Sequence, residues 1–339
     1  MSRGAAVAVA AGAAAAAVAG GGGAAGADTP RQTPSAIEVD RDGAPPGRTE
    51  LGFESGAPVD GWGATVGAGW LERPLELRAA GAGGAGDAPV LPVRRRQTLV
   101  LGGAIALGES VVFDARAAAA HQVGDRLRPA EPRALDRFVL ADLRLGARVR
   151  VAGGARRALF VRGELTLPVG DDGDFAGEAS WSAAWQLVGR LVLPRGITLA
   201  AAGGIRLRGA EVAIGDRLVG DELIAAVGAA VPLPPVRPLW CDAEQVKLLA
   251  EVSAAVGDDV GVGRGPSPVE ARLGLVTRPR PSVALGVRLG RGLTDEIGAP
   301  RARLTLELTY RPGGHQPAGH QPAGHQPADQ RMAPSPMPQ

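Results

Sequence analysis

VLADLRLGARVRV, residues 139 to 151, changes character at every step along the chain. Val139, Ala141, Leu143, Leu145, Ala147, Val149 and Val151 hold one parity. Asp142, Arg144, Arg148 and Arg150 hold the other, with Gly146 among them. Successive side chains of a strand point to opposite faces, so the spacing predicts a strand with one apolar and one charged face. A helix would need a separate apolar set three and four residues apart, and this segment has none. The apolar face of such a strand can rest on a second sheet in a soluble sandwich or on lipid around a closed barrel.

The same two-residue period recurs from Gly61 to Tyr310. It is written by Leu75 and Leu77, by Leu99, Leu101, Ile105 and Leu107, by Val283, Leu285, Val287 and Leu289, and finally by Leu304, Leu306, Leu308 and Tyr310. Periodicity alone does not separate sandwich from barrel, but connection lengths do. Short links near Gly108, at Gly153 and Gly154, at Pro194 to Gly196 and at Pro279 to Pro281 alternate with longer ones. The longer ones fall at 80–90, 120–136, 169–177, 210–220, 257–267 and 292–300. Outer-membrane barrels have short periplasmic turns and long outer loops. One connection breaks the rule: PLPPVRPLWCDAE, 232–244, is long where a turn is due. The expectation is therefore all-β, an antiparallel transmembrane β-barrel of about 12 strands if 61–79 is one bent strand, or 14 if it is a hairpin with an earlier strand near 48–54. The alternative is a secreted soluble β-sandwich binding protein, with its charged faces turned outward.

Composition narrows the function. The 339 residues are 45% hydrophobic and carry 37 Lys+Arg against 35 Asp+Glu, a net charge of +2 that leaves no electrostatic footprint for nucleic acid. Cys241 stands alone, which excludes an intramolecular disulfide and a thiolate metal cluster. Arg3, an Ala/Val run from Ala5 to Ala19, and small residues Ala25, Gly26 and Ala27 have the tripartite order of a secretory signal peptide. The domain expectation is a signal peptide at 1–27, an N-terminal linker at 28–60, an outer-membrane barrel at 61–312 and a disordered His/Pro/Gln tail at 313–339.

Five stretches carry a family resemblance: ERPLELR (72–78), LADLRLGARVRV (140–151), ELTLPVGDDGDF (164–175), VGDELIAAVGAAV (219–231) and RGLTDEIGAPRARLTLELTY (291–310). In this order the chain resembles the barrel part of outer-membrane proteins of the outer-membrane-protein-A (OmpA) type found in myxobacteria and related Gram-negatives. The resemblance implies an outer-membrane location and a structural or porin-like role. Many members add a domain that grips peptidoglycan. Here Tyr310 is followed only by RPGGHQPAGHQPAGHQPADQRMAPSPMPQ, so peptidoglycan binding is not expected.

Other features read blandly. The GHQPA repeat places His315, His320 and His325 five residues apart in a proline-rich stretch that fixes no metal geometry. GDDGD at 170–174 lacks the ligand positions of a calcium loop and is expected to be a solvated outer loop. Trp181, Trp185 and Tyr310 lie on the apolar parity as members of an aromatic girdle, a sparse one at 3% aromatics. His121 falls in an expected outer loop with no serine in a recognisable setting, so no catalytic residue, cofactor or metal is assigned and no enzyme is expected. The site candidates are the charged residues of the opposite parity, expected to line a lumen: Arg144, Arg148, Arg150, Arg162, Glu164, Arg206, Arg208, Arg272, Arg288 and Glu307. Charged lumen residues tune selectivity if water passes and brace the walls if it does not. The expected partners are outer-membrane lipid and small solutes in the lumen, with weak anion preference.

Overall fold

The structure, a computed structural model, describes residues 61–77, 90–108, 110–125, 135–170, 175–214, 217–234, 246–257, 267–280, 282–296 and 298–312. Residues 1–60 and 313–339, where a signal peptide, linker and His/Pro/Gln tail are expected, lie outside the described residues, as does Cys241.

The chain forms β1 (Gly61–Leu77), β2 (Val90–Leu107), β3 (Val111–Val123), β4 (Asp136–Leu140), β5 (Leu143–Gly153), β6 (Arg157–Leu167), β7 (Ser182–Val192) and β8 (Thr198–Arg208). These are followed by β9 (Val212–Ile214), β10 (Arg217–Val219), β11 (Glu222–Pro232), β12 (Val246–Gly257), β13 (Val269–Arg280), β14 (Val283–Gly292) and β15 (Ala302–Tyr310). Every pairing is antiparallel, and β1 pairs with both β2 and β15, so the sheet closes on itself. β4 and β5 are two halves of one strand against β3, which makes a barrel of twelve strands; β9 and β10 form a separate hairpin. Closure pairs the strands without leaving an edge, the condition for a β-structure to sit in lipid.

The alternating sequence decides which way each strand faces. On neighbouring strands the apolar residues fall in register: Leu275 opposite Val287, Val287 opposite Leu306, Leu306 opposite Ala68 and Ala68 opposite Leu99. These rows are exposed. From Val66 on β1 through Leu145 on β5 and Leu273 on β13 to Leu306 on β15, every barrel strand contributes a large exposed hydrophobic side chain. In water this surface would be a severe liability, whereas in a bilayer it is the required outer band. A sandwich would turn its charges outward, yet Arg144, Arg162, Arg272 and Arg288 are buried. That reversal, together with closure, removes the sandwich alternative.

The six longer connections leave one end of the barrel, and the short turns and both strand termini, Gly61 and Tyr310, lie at the other. The long 233–245 link does lie at the short-turn end, joining β11 to β12, with 235–245 outside the described residues.

Two parity readings are corrected. Val139 and Ala141 are buried, and Leu140 is the exposed residue. The cause is a bulge: between the pairs Arg116–Arg144 and Ala119–Leu140, β3 advances three residues and its partner four. One extra residue turns every following side chain to the other face. Leu75 is likewise buried, because register shifts follow Glu72 and Arg73 takes a left-handed φ of 47°. β1 is one bent strand, as the smaller strand number requires. His121 is a third correction: it lies on β3, not in a loop, on the outward parity against Phe138.

Heat-modifiable migration follows from this closure. The folded protein is expected to run at a different apparent mass on a denaturing gel before and after boiling. Identical migration of both samples would be incompatible with a closed, detergent-resistant barrel.

Candidate functional site

The interior is built in three tiers, and strand alternation supplies each. In the middle runs a belt of ion pairs. Glu270 on β13 accepts from Arg303 Nε at 2.7 Å and Arg303 Nη2 at 3.2 Å, and also from Arg272 Nη2 at 3.0 Å. Arg272 Nη1 lies 3.9 Å from Glu251 on β12, and Arg288 on β14 pairs with Glu307 on β15. Around the ring, Glu164 takes Arg162 Nη2 at 2.7 Å, with Arg144 Nη1 at 3.9 Å. Glu222 lies 3.5 Å from Arg206 Nη1 and 3.1 Å from Arg208 Nη2. These pairs stay on one strand, on adjacent strands, or two strands apart for Arg303 and Glu270. They run along the wall. Against the arc of wall from β6 to β13 lies a cavity of about 60 Å³, lined by Arg162, Gln186, Arg206, Ser253 and Arg272 among others.

Toward the short turns the same inward positions become apolar. Ala158, Phe160, Val188, Ala202, Ala226, Leu249 and Val276 form one buried cluster spanning β6 to β13. Within it, Phe160 carries the guanidinium of Arg148 at 4.9 Å from the ring centroid and that of Arg190 at 5.4 Å. Arg150 stands directly across the strand pair from Phe160.

At the long-loop end the interior is covered. Phe175, from the β6–β7 connection, and Val212 and Val219, from the β9–β10 hairpin, are buried with Leu75 of β1 and Val93 of β2. β1 and β8 are opposite each other in a ring of twelve, so these segments cross the mouth from wall to wall. Asp142, on the same inward parity as Arg144, sits beside the bulge, and its carboxylate accepts from Gly170 N at 2.9 Å and Glu178 N at 2.7 Å. A Cβ at Gly170 or Gly177 would stand 2.8 Å from Asp142 Oδ1, so only glycine lets the loop come this close. Arg96, fully buried, donates to the Phe175 carbonyl at 3.2 Å and to Gln122 Oε1 at 3.4 Å. Arg208 fastens the hairpin by donating to Gly220 O, and its Nε lies 3.5 Å from Glu178 Oε1.

The structure therefore gathers Arg144, Arg162, Glu164, Arg206, Arg208, Arg272, Arg288 and Glu307 into the middle belt, with Arg148 and Arg150 displaced toward the short turns. Arg96, Gln122, Phe160, Phe175 and Arg190 were not singled out by sequence. Only the period-two placement of Arg96 and Arg190 could have suggested them. Gly170 of the GDDGD stretch belongs to the cap, and 171–174 lie outside the described residues. On the outer surface, Trp181 and Tyr310 are exposed, and Trp62 meets Tyr310 edge to face at 6.1 Å near the short turns.

A closed antiparallel barrel with a lipid-compatible belt around buried charge defines the class: an outer-membrane β-barrel. No family model matches the chain, and no curated protein does. Among solved structures, the COG4313 outer membrane channel from Pseudomonas putida F1 is similar in fold. It is 16% identical, with a TM-score of 0.55 over 75% of this chain and 96% of that one. The NanC porin gives 4% identity and 0.44 over 74% and 98%. The KdgM porin in complex with disordered oligogalacturonate gives 6% and 0.42 over 73% and 98%.

Proposed function

We propose that the protein is a passive outer-membrane pore of small bore, with an arginine-rich lumen and a weak preference for anions. The observation that carries this reading is the cavity of about 60 Å³ inside the barrel, lined by Arg162, Arg206 and Arg272. A ring of about eight strands is filled by its side chains and one of 16 to 18 encloses a channel, so twelve strands leave room for a narrow path. The similar solved structure described as a channel points the same way.

The residues proposed to line the path are Arg144, Arg148, Arg150, Arg162, Glu164, Arg206, Arg208, Arg272, Arg288 and Glu307. The reading is non-enzymatic: His121, 2.9 Å from Asp136, lies on the outward parity of β3, away from the lumen. The proposed partners are lipid outside and small solutes within. The relation to the OmpA-type barrels of myxobacteria belongs to the same proposal. It rests on the five sequence stretches and concerns the barrel alone.

The test is a planar-bilayer recording of the purified protein under a potassium chloride gradient. A small, stable conductance with a reversal potential displaced toward chloride is expected, and a cation-selective current would refute the anion preference. A second reading, a structural barrel without conduction, is favoured by the Phe175 cap. A heat-modifiable protein that passes no current would select it.

A further inference from the structure

We propose that Arg148, Arg190 and Phe160 form a binding site for an organic carboxylate with an apolar body, set in the short-turn half of the lumen. Both guanidiniums lie over the ring of Phe160, at 4.9 and 5.4 Å, within cation–π distance. Among the described residues neither makes an ion pair, and Arg190 Nε is buried without a hydrogen-bond acceptor. The charges acting on Arg148 are those of Arg190, Arg162 and Arg311 against the single carboxylate of Asp114. The middle belt is different, since each arginine there has a carboxylate beside it.

Two like charges held near one ring in poorly hydrated surroundings repel, and each donor lacking an acceptor adds to the cost. A carboxylate placed between them offsets both terms, because guanidinium presents donors in a fork that fits its two oxygens. The floor beside the pair sets the rest of the ligand. Ala158, Val188, Ala200 and Ala202 are short, apolar and packed in one buried cluster, so the wall beside the pair presents a hydrocarbon body with no polar group to desolvate. An inorganic anion would satisfy the charges and gain nothing from that apolar wall. The pore reading explains how such an anion reaches the site and is the part of the argument on which this inference rests, but binding itself can be read without transport.

The experiment is calorimetric titration of the full-length protein, folded in detergent micelles, with benzoate and separately with acetate and chloride. Saturable benzoate binding at least tenfold tighter than acetate is expected, weakened at least tenfold in Arg148→Gln/Arg190→Gln. Phe160→Leu and Arg190→Gln alone carry the same direction, should the double variant lack heat-modifiable migration. Benzoate binding no tighter than acetate, or unchanged in these variants, would overturn the site. The bilayer recording separates the two proposals. Benzoate binding without any current leaves the site standing and removes the pore, whereas current without benzoate binding does the reverse.

Discussion

Leu306→Arg is expected to cost about 2–4 kcal/mol of folding free energy in a bilayer, the range for a cation on the lipid face of a barrel near the midplane. Leu306 sits in the middle of β15, with Val287 and Ala68 as its cross-strand partners, and its side chain is among the exposed hydrophobics. The same change at Tyr310, where the strand ends, is expected to cost about 0–1 kcal/mol, because there the guanidinium reaches the interface. Urea titration of folding into lipid vesicles reads both numbers. The contrast matters more than either value: a soluble protein would tolerate arginine equally at two exposed positions of one strand, whereas a hydrocarbon slab imposes a gradient of depth. Equal costs at 306 and 310 would remove the membrane reading of the apolar belt.

That belt was legible because it depends on a local rule. A side chain's face follows from its parity, and Leu285, Val287 and Leu289 announce theirs without reference to any other strand. Closure was legible from the alternation of connection lengths. The parity of Val139, Ala141 and Leu75 was not, because a bulge is a property of a pair of strands. Whether β4 gains a residue against β3 is settled by the partner, and nothing in VLAD records it. Ion pairing stood between these cases. Opposite parity placed Arg272 in the interior, but its partnership with Glu270, which Arg303 shares, depends on register across three strands. The cap was hidden more deeply. Phe175 ends the stretch PVGDDGDF, whose glycines and aspartates read as a solvated turn, and its burial depends on Leu75, Val93, Val212 and Val219, which come from segments distant in sequence. The candidate site was thus visible as a set of residues and invisible as an arrangement, since arrangement is carried by long-range contacts.

Glu270→Ala tests that arrangement and is expected to lower stability by about 3 kcal/mol, the lower part of the 3–5 kcal/mol that follows removal of one partner from a buried ion pair. Glu270 receives three hydrogen bonds from Arg303 and Arg272, with side-chain exposures of 6% for the carboxylate against Arg303 at 3% and Arg272 at 8%. Removing it leaves two guanidiniums facing each other without the oxygens that held them. Glu251 lies 3.9 Å from Arg272, farther than the 3.0 Å at which Arg272 meets Glu270. Glu270→Ala/Arg303→Ala is expected to recover part of the loss, because the second change removes one of the stranded charges, and the non-additivity measures the pair directly. Unfolding in urea from lipid vesicles, read by the gel shift, of these two variants and of Arg303→Ala supplies all three values. The magnitude also reports on the lumen. A loss below about 1 kcal/mol is what an exposed pair shows, and here it would mean that water already bathes the belt and screens its charges. A loss near 3 kcal/mol would place Glu270 and its arginines in a dry wall and would count against a hydrated path through the cavity that they line.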